Sequence, residues 1–178
     1  MPSRKCILYI ACSLDGYIAA PGDNLDFLDK PEHGDNDYGY AEFTAGVDTM
    51  ILGRKTFDWV LSKLPDWPHK EYTYVWTRTP KAAHDNVEYF SGELADLIHR
   101  LKNEKGKNIF INGGSEVVHE LLKRGLIDEI IISYMPVLLG EGTPLFRSGR
   151  PEQWLELVSA KTYSSGVLQV HYRQYTAA

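Results

Sequence analysis

Three short stretches of this chain combine the residue types that hold phosphate. In Met50-Ile51-Leu52-Gly53-Arg54-Lys55-Thr56 an apolar run meets a glycine, two cations and a hydroxyl. A glycine lets an anion come close to the backbone. The unpaired N–H groups and dipole of a following helix attract negative charge, and Arg54 or Lys55 would add charge-assisted hydrogen bonds. In Ile109-Phe110-Ile111-Asn112-Gly113-Gly114-Ser115 a second apolar run meets paired glycines, a turn able to lay backbone amides against a pyrophosphate. Tyr72–Trp76 runs into Thr77-Arg78, whose hydroxyl and guanidinium suit the extra phosphate that separates NADP from NAD. Read alone, the first is equally a surface turn with two solvated cations, the second has the alternative of a plain tight turn, and the third that of a loop with a solvated arginine. Together they point to one ligand that carries several phosphates.

Other chemistries lack their motifs. The stretch before Gly53 has neither the first glycine nor the Gly-Lys pair of a P-loop, and Asn112–Glu116 lacks the GxSxG of an esterase nucleophile. Six histidines stand without an HExxH or a CxxC, which predicts no metal. A formal net charge of −5 over 178 residues predicts no nucleic-acid or anionic-membrane partner, so phosphate affinity has to be local. Arg4-Lys5 and the apolar Cys6–Leu14 are too short for a leader or a span, and the expectation is a cytoplasmic protein. Cys6 and Cys12, six residues apart in an extended segment, would stand roughly 20 Å apart, beyond disulfide reach.

Elements that would position these turns follow from hydrophobic period. Residues 5–12 read as a strand buried on both faces, and Thr49–Leu52, Tyr72–Trp76, Val87–Phe90 and Asn108–Ile111 as further strands. Helices are predicted from about Tyr38 to Ala45, within Arg54–Lys63, along Leu94, Leu97, Ile98 and Leu101, and from Val117 to a stop at Gly125. Residues 21–37 read as a surface loop or active-site flap. Ile127–Val137 is a late strand, and Trp154–Tyr163 and Val167–Tyr175, joined by Ser164-Ser165-Gly166, form an antiparallel hairpin. The prediction is one α/β domain over residues 1–178, three layers about a mixed, mostly parallel sheet.

Ile10–Ala19, with its Asp15-Gly16 turn, Asp48–Phe57, Asn112–Glu116 and Leu138–Phe146 together resemble the dihydrofolate reductase superfamily. Within it the chain is most similar to stand-alone proteins like the riboflavin-biosynthesis reductase domain. The resemblance implies a three-layer dihydrofolate-reductase-like fold and NADPH along the strand ends. Gly53, Arg54, Lys55 and Thr56 would meet its phosphates, as would Gly113, Gly114, Ser115 and Glu116, with Asn112 and Val117 in the same set. Thr77 and Arg78 would hold the adenosine side, and Ala11 and Ile18 would flank the nicotinamide. Hydride would pass to a small heterocyclic or ribosylaminopyrimidine-type substrate, as in 5-amino-6-(5-phosphoribosylamino)uracil reductase. A dihydrofolate or pterin reductase and a non-catalytic NADP-binding module are the alternatives.

Asp37 lies at the spacing before Gly53 where dihydrofolate reductases carry their substrate carboxylate, which makes it the catalytic candidate. It is equally placed to cap the helix beginning at Tyr38. Asp15 reads as a turn residue. The chain departs from both known substrate patterns: Tyr17 stands where riboflavin-pathway reductases have lysine, and the loop after Leu64-Pro65 lacks the arginine that pairs with a folate tail. The resemblance also implies a homodimer joined through a sheet edge.

Overall fold

A computed structural model describes residues 4–31, 37–83 and 85–175. Eight strands form one sheet in the order β5-β4-β3-β6-β1-β7-β10-β9. They are β1 Cys6–Ser13, β3 Val47–Gly53, β4 Tyr72–Trp76, β5 Val87–Phe90, β6 Asn108–Gly113, β7 Glu129–Met135, β9 Leu155–Thr162 and β10 Leu168–Gln174. The pairs from β5 across to β7 are parallel, and β10 is antiparallel to both β7 and β9. Two short strands, β2 Tyr17–Ala19 and β8 Thr143–Pro144, pair antiparallel beside it. This is the predicted mixed, mostly parallel sheet with its C-terminal antiparallel hairpin.

The pleat sorts apolar residues between two helical layers. On one face α3 (Leu94–Asn103) and α4 (Ser115–Lys123) bury Leu97, Ile98, Leu101, Val118 and Leu121 against Cys6, Leu8, Ile51, Ile109 and Ile111. On the other, α2 (Arg54–Lys63) packs Phe57 against Leu52, Val75 and Val87, and α1 (Tyr40–Ala45) sets Tyr40 and Phe43 against Val47, Met50 and Phe110. Alternate residues of β3 thus serve opposite layers, Ile51 one and Met50 and Leu52 the other. No helix among the described residues is long and apolar enough to cross a membrane.

Three expectations need correction. The first helix begins at Tyr40 rather than Tyr38, because Tyr38 (φ 55) and Gly39 (φ 83) form a left-handed turn ahead of it. The described part of residues 21–37 is more than surface loop. It holds a 3₁₀ turn over Asp26–Leu28 whose Phe27 is only 4% exposed, packed with Met135 and Val167. The strand predicted over Ile127–Val137 is shorter, since Ile127 is core outside the ladder and Val137 carries the backbone bond from Leu14.

Candidate functional site

Two helices begin where central strands end. β3 stops at Gly53 and α2 starts at Arg54, while β6 stops at Gly113 and α4 starts at Ser115. Neither N-terminus has a side-chain cap, so their first-turn N–H groups are left for something else. Leu52 pairs with Gly113 and Gly53 with Trp76, which sets the two turns side by side. A β-carbon built on Gly53 would lie 3.5 Å from Val117 Cγ2, 3.8 Å from Gly114 N and 4.0 Å from Gly113 O. One built on Gly114 would lie 3.2 Å from Thr56 Oγ1 and 4.0 Å from Ile18 Cδ1. Gly113 itself has φ +108, a conformation that favours glycine, and its peptide bond to Gly114 is cis.

Both turns open onto one cavity of about 600 Å³. Ala11, Ile18, Gly53, Arg54, Lys55, Thr56, Asn112, Gly114, Ser115, Glu116 and Val117 line it, so eleven of the predicted site residues share one wall. Gly113, Thr77 and Arg78 do not line it, although Trp76, next to Thr77, does. Thr77 folds into its own turn, its Oγ1 accepting the Thr79 N–H at 3.2 Å.

Several of these side chains already have partners. Arg54 Nε donates to both oxygens of Asp58 at 2.6 and 2.7 Å, and its guanidinium lies 5.5 Å from the Tyr89 ring centre. Ser115 Oγ donates to the Pro144 carbonyl at 2.6 Å, so this hydroxyl holds β8. Arg147, just past β8, lines the cavity and pairs with Glu116 at 3.5 Å.

Asp37 stands apart from this wall. It lines a smaller neighbouring cavity of about 240 Å³, which shares Tyr9, Ala11, Leu28 and Tyr40 with the larger one. Its carboxylate accepts the N–H groups of Ala41 and Gly39, each at 2.9 Å, and those bonds hold its pKa below the ordinary value. The N-cap residue of α1 is Gly39, and Asp37 reaches past it to hold the N–H of Ala41 in the first turn; a carboxyl kept ionised in this way is a poor proton donor. Asp15 likewise accepts from Ser13 Oγ and from the backbone of Gly140 and Leu139, pinning the β1–β2 turn to the loop before β8. Those bonds lower its pKa too.

Sequence reasoning missed much of the remaining wall: Tyr9, Leu28, Tyr40, Trp59, Val60 and Phe110. Some of it was signalled. Tyr9 precedes Ala11, and Phe110 precedes Asn112, by the two residues that return a strand to the same face. Trp59 follows Lys55 by one helical turn. Burial pushes the Tyr40 phenol up to about 12 and raises that of Tyr9, so both rings are neutral walls.

Comparison with known proteins fits this geometry. The model of the family described as RibD C-terminal domain matches residues 4–169. An uncharacterized protein of Bacillus subtilis, YwjB, is 44% identical over 95% of this chain and 97% of its own. A solved structure from Shewanella sp. PV-4, described as a riboflavin biosynthesis protein, superposes with a TM-score of 0.89 at 33% identity, over 97% and 99% of the two chains. A dihydrofolate reductase from Enterococcus faecalis, solved with NADP(H), shares the fold at a TM-score of 0.68 and 20% identity, over 97% of both.

Proposed function

We propose that this chain, which belongs to the RibD C-terminal domain family, is an NADPH-dependent reductase that delivers hydride to a small heterocyclic or ribosylaminopyrimidine-type substrate. One observation carries the reading: two helix N-termini without side-chain caps stand side by side and open on one cavity. Such a slot suits a dinucleotide, whose linked phosphates would meet the free N–H groups of Arg54–Thr56 and Ser115–Val117. Lys55 adds charge there. Bound NADPH would supply the hydride.

This chain's residues would hold and orient that cofactor. Ala11 and Ile18, on β1 and β2, present an apolar surface to its reactive ring and exclude water from it. The protein contributes position above all, which is the larger part of what an enzyme adds to a cofactor with its own chemistry. Thr77 and Arg78, beyond the lining at the end of β4, would meet the adenosine-side phosphate.

Titration with NADPH and with NADH, followed by tryptophan fluorescence, tests the cofactor. Trp59 and Trp76 line the cavity and should report binding. A saturable change with NADPH at lower concentration than with NADH is expected, and replacing Arg78 with Ala should erode that difference. No saturable change with either nucleotide would refute the assignment. A fall in NADPH absorbance with a panel of pterins, ribosylaminopyrimidines and reactive carbonyls tests turnover.

A second reading, an NADP-binding module without turnover, draws on the backbone bonds that occupy the Asp37 carboxylate and that would leave the chemistry without its expected acid. Tight NADPH binding with no substrate-dependent oxidation would favour it. We also propose a homodimer joined through β9, an edge strand whose Leu157 and Val158 are 52% and 48% exposed.

A further inference from the structure

Resting on the reductase reading, we propose that the substrate is a flat, uncharged heteroaromatic ring without a phosphate group. The walls outside the phosphate slot carry this inference. Tyr9 and Tyr40 meet at 5.8 Å between ring centres and 70° between planes, and each stands edge-on to Phe110 at 6.3 Å. Trp59 adds a fourth ring to the lining, and Leu28 and Val60 fill between. Aromatic surfaces fixed by one another in this way favour a planar guest that stacks or packs edge-to-face.

The two tyrosines offer rings rather than hydroxyls. Tyr9 Oη donates to the Tyr38 carbonyl at 2.9 Å and accepts from Gln169 at 3.2 Å. Tyr40 Oη lies 3.5 Å from His69 Nδ1. Hydroxyls already engaged with the protein are poor partners for a sugar or a phosphate. Asn112 supplies the polar contact a heterocycle needs. Its Nδ2 has only the Met50 sulfur, a weak acceptor, at 3.4 Å, and its Oδ1 has no protein partner among the described residues. A ring N–H is the natural donor to that oxygen.

Charge argues the same way. Among the described residues the cations that line the cavity are Arg54 and Lys55 at the start of α2 and Arg147, which follows β8 and pairs with Glu116 in the first turn of α4, all where the cofactor phosphates would lie. Lys63, further along α2, is held 5.9 Å from the Trp59 ring centre and does not line the cavity. The other charged residues described on the two cavities are acids, Glu116 and Asp23 on the larger and Asp37 on the smaller. A phosphate monoester, with about −1.5 to −2 charge at pH 7, would find no cation among the described residues lining the aromatic lobe. The ring of a ribosylaminopyrimidine fits this lobe, and its phosphate does not.

The test uses protein saturated with NADPH and three probes: lumazine, 5-amino-6-ribosylaminouracil, and the 5′-phosphate of the latter, each followed by fluorescence or calorimetry. Lumazine and the unphosphorylated uracil should bind, and the phosphate ester should bind at least tenfold more weakly than its parent. Val60→Lys, which puts a cation at a half-buried position of the lining, should narrow that ratio. Leu28→Lys is the second variant, should the first fail to fold. Equal or tighter binding of the ester would overturn the proposal, and so would failure of both unphosphorylated rings to bind a protein that does bind NADPH. Failure to bind NADPH at all would strike the reductase reading itself, and is read before any ring is added.

Discussion

Replacing Gly53 with alanine should separate cofactor affinity from folding. Gly53 has φ −79 and ψ 155, values any L-residue adopts, so a methyl group introduces no backbone strain there. Its nearest neighbours would be Val117 Cγ2 at 3.5 Å and Gly114 N at 3.8 Å, ordinary van der Waals distances. Two opposing terms act on stability. Alanine is a poorer N-cap than glycine by about 1 kcal/mol, and it restricts the unfolded chain by about 0.4–1 kcal/mol. They nearly cancel, so the melting temperature should move by less than about 4 °C for a domain of this size.

Binding has no such cancellation. The new methyl group occupies the gap between the N-termini of α2 and α4, where the phosphate is expected to approach. Loss of one charge-assisted hydrogen bond to a backbone amide costs about 1.5–3 kcal/mol, or roughly 10- to 150-fold in Kd. The assay is an NADPH titration followed by tryptophan fluorescence, with thermal unfolding of the ligand-free variant beside it. Wild-type affinity in a folded Gly53→Ala protein would refute a phosphate site at this turn. Melting lowered by more than about 8 °C would refute the stability estimate instead.

Gly142→Ala should do the reverse. Gly142 has φ +142, and a β-carbon there would come 2.1 Å from the Ala19 carbonyl. The variant should lose several kcal/mol in urea unfolding as β8 parts from β2, and an unchanged midpoint would contradict the geometry. Asp37→Asn tests the cap. Backbone donors hold the folded pKa below the ordinary 3.8, so the ionised cap stabilises fully above that value and is lost as pH falls through the folded one. The stability gap between wild type and variant should be present at pH 7 and close on acidification. Retained turnover would fit a cap alone, and abolished turnover with intact NADPH binding would return Asp37 to the chemistry. Light scattering should give a mass of two chains, and Leu157→Asp, at an exposed position, should give one; a monomeric wild type would dismiss the β9 pairing.

The sheet was legible because its central strands are apolar on both faces and each ends in a punctuating residue. Gly53 and Gly113-Gly114 mark junctions that stand at the same level in space, since Leu52 pairs with Gly113. The boundary at Tyr38 was not legible. Its left-handed backbone comes from the Tyr38-Gly39 turn and the side-chain bonds of Asp37, and an aromatic residue gives no sign of positive φ. Phe27 was missed for another reason: one buried aromatic in an acidic, glycine-bearing stretch has no period to reveal it. Tyr9 and Phe110 could be placed on one face of their strands, yet the pleat does not say where the covering helix leaves a gap. α1 is only six residues long, and beside it the sheet face stays open as the cavity.

The two halves of this site therefore differ in what they ask of the sequence. The proposed phosphate slot is made of backbone. It needs glycine at a few points and helices that start at strand ends, requirements that short motifs express directly. The aromatic lobe is made of side chains drawn from β1, α1, α2 and β6, and each can change size without disturbing a ladder bond. On the proposed reading, Val60 or Trp59 on α2 would alter what fits beside the cofactor, while Gly53, the last residue of β3 and nearly two turns before Val60, would set where the phosphates lie. If the proposed reading holds, cofactor preference and substrate preference should be separable along a single helix. Changes near its start should act on nucleotide affinity with any acceptor, and changes from Trp59 onward on the choice of acceptor with the nucleotide still bound.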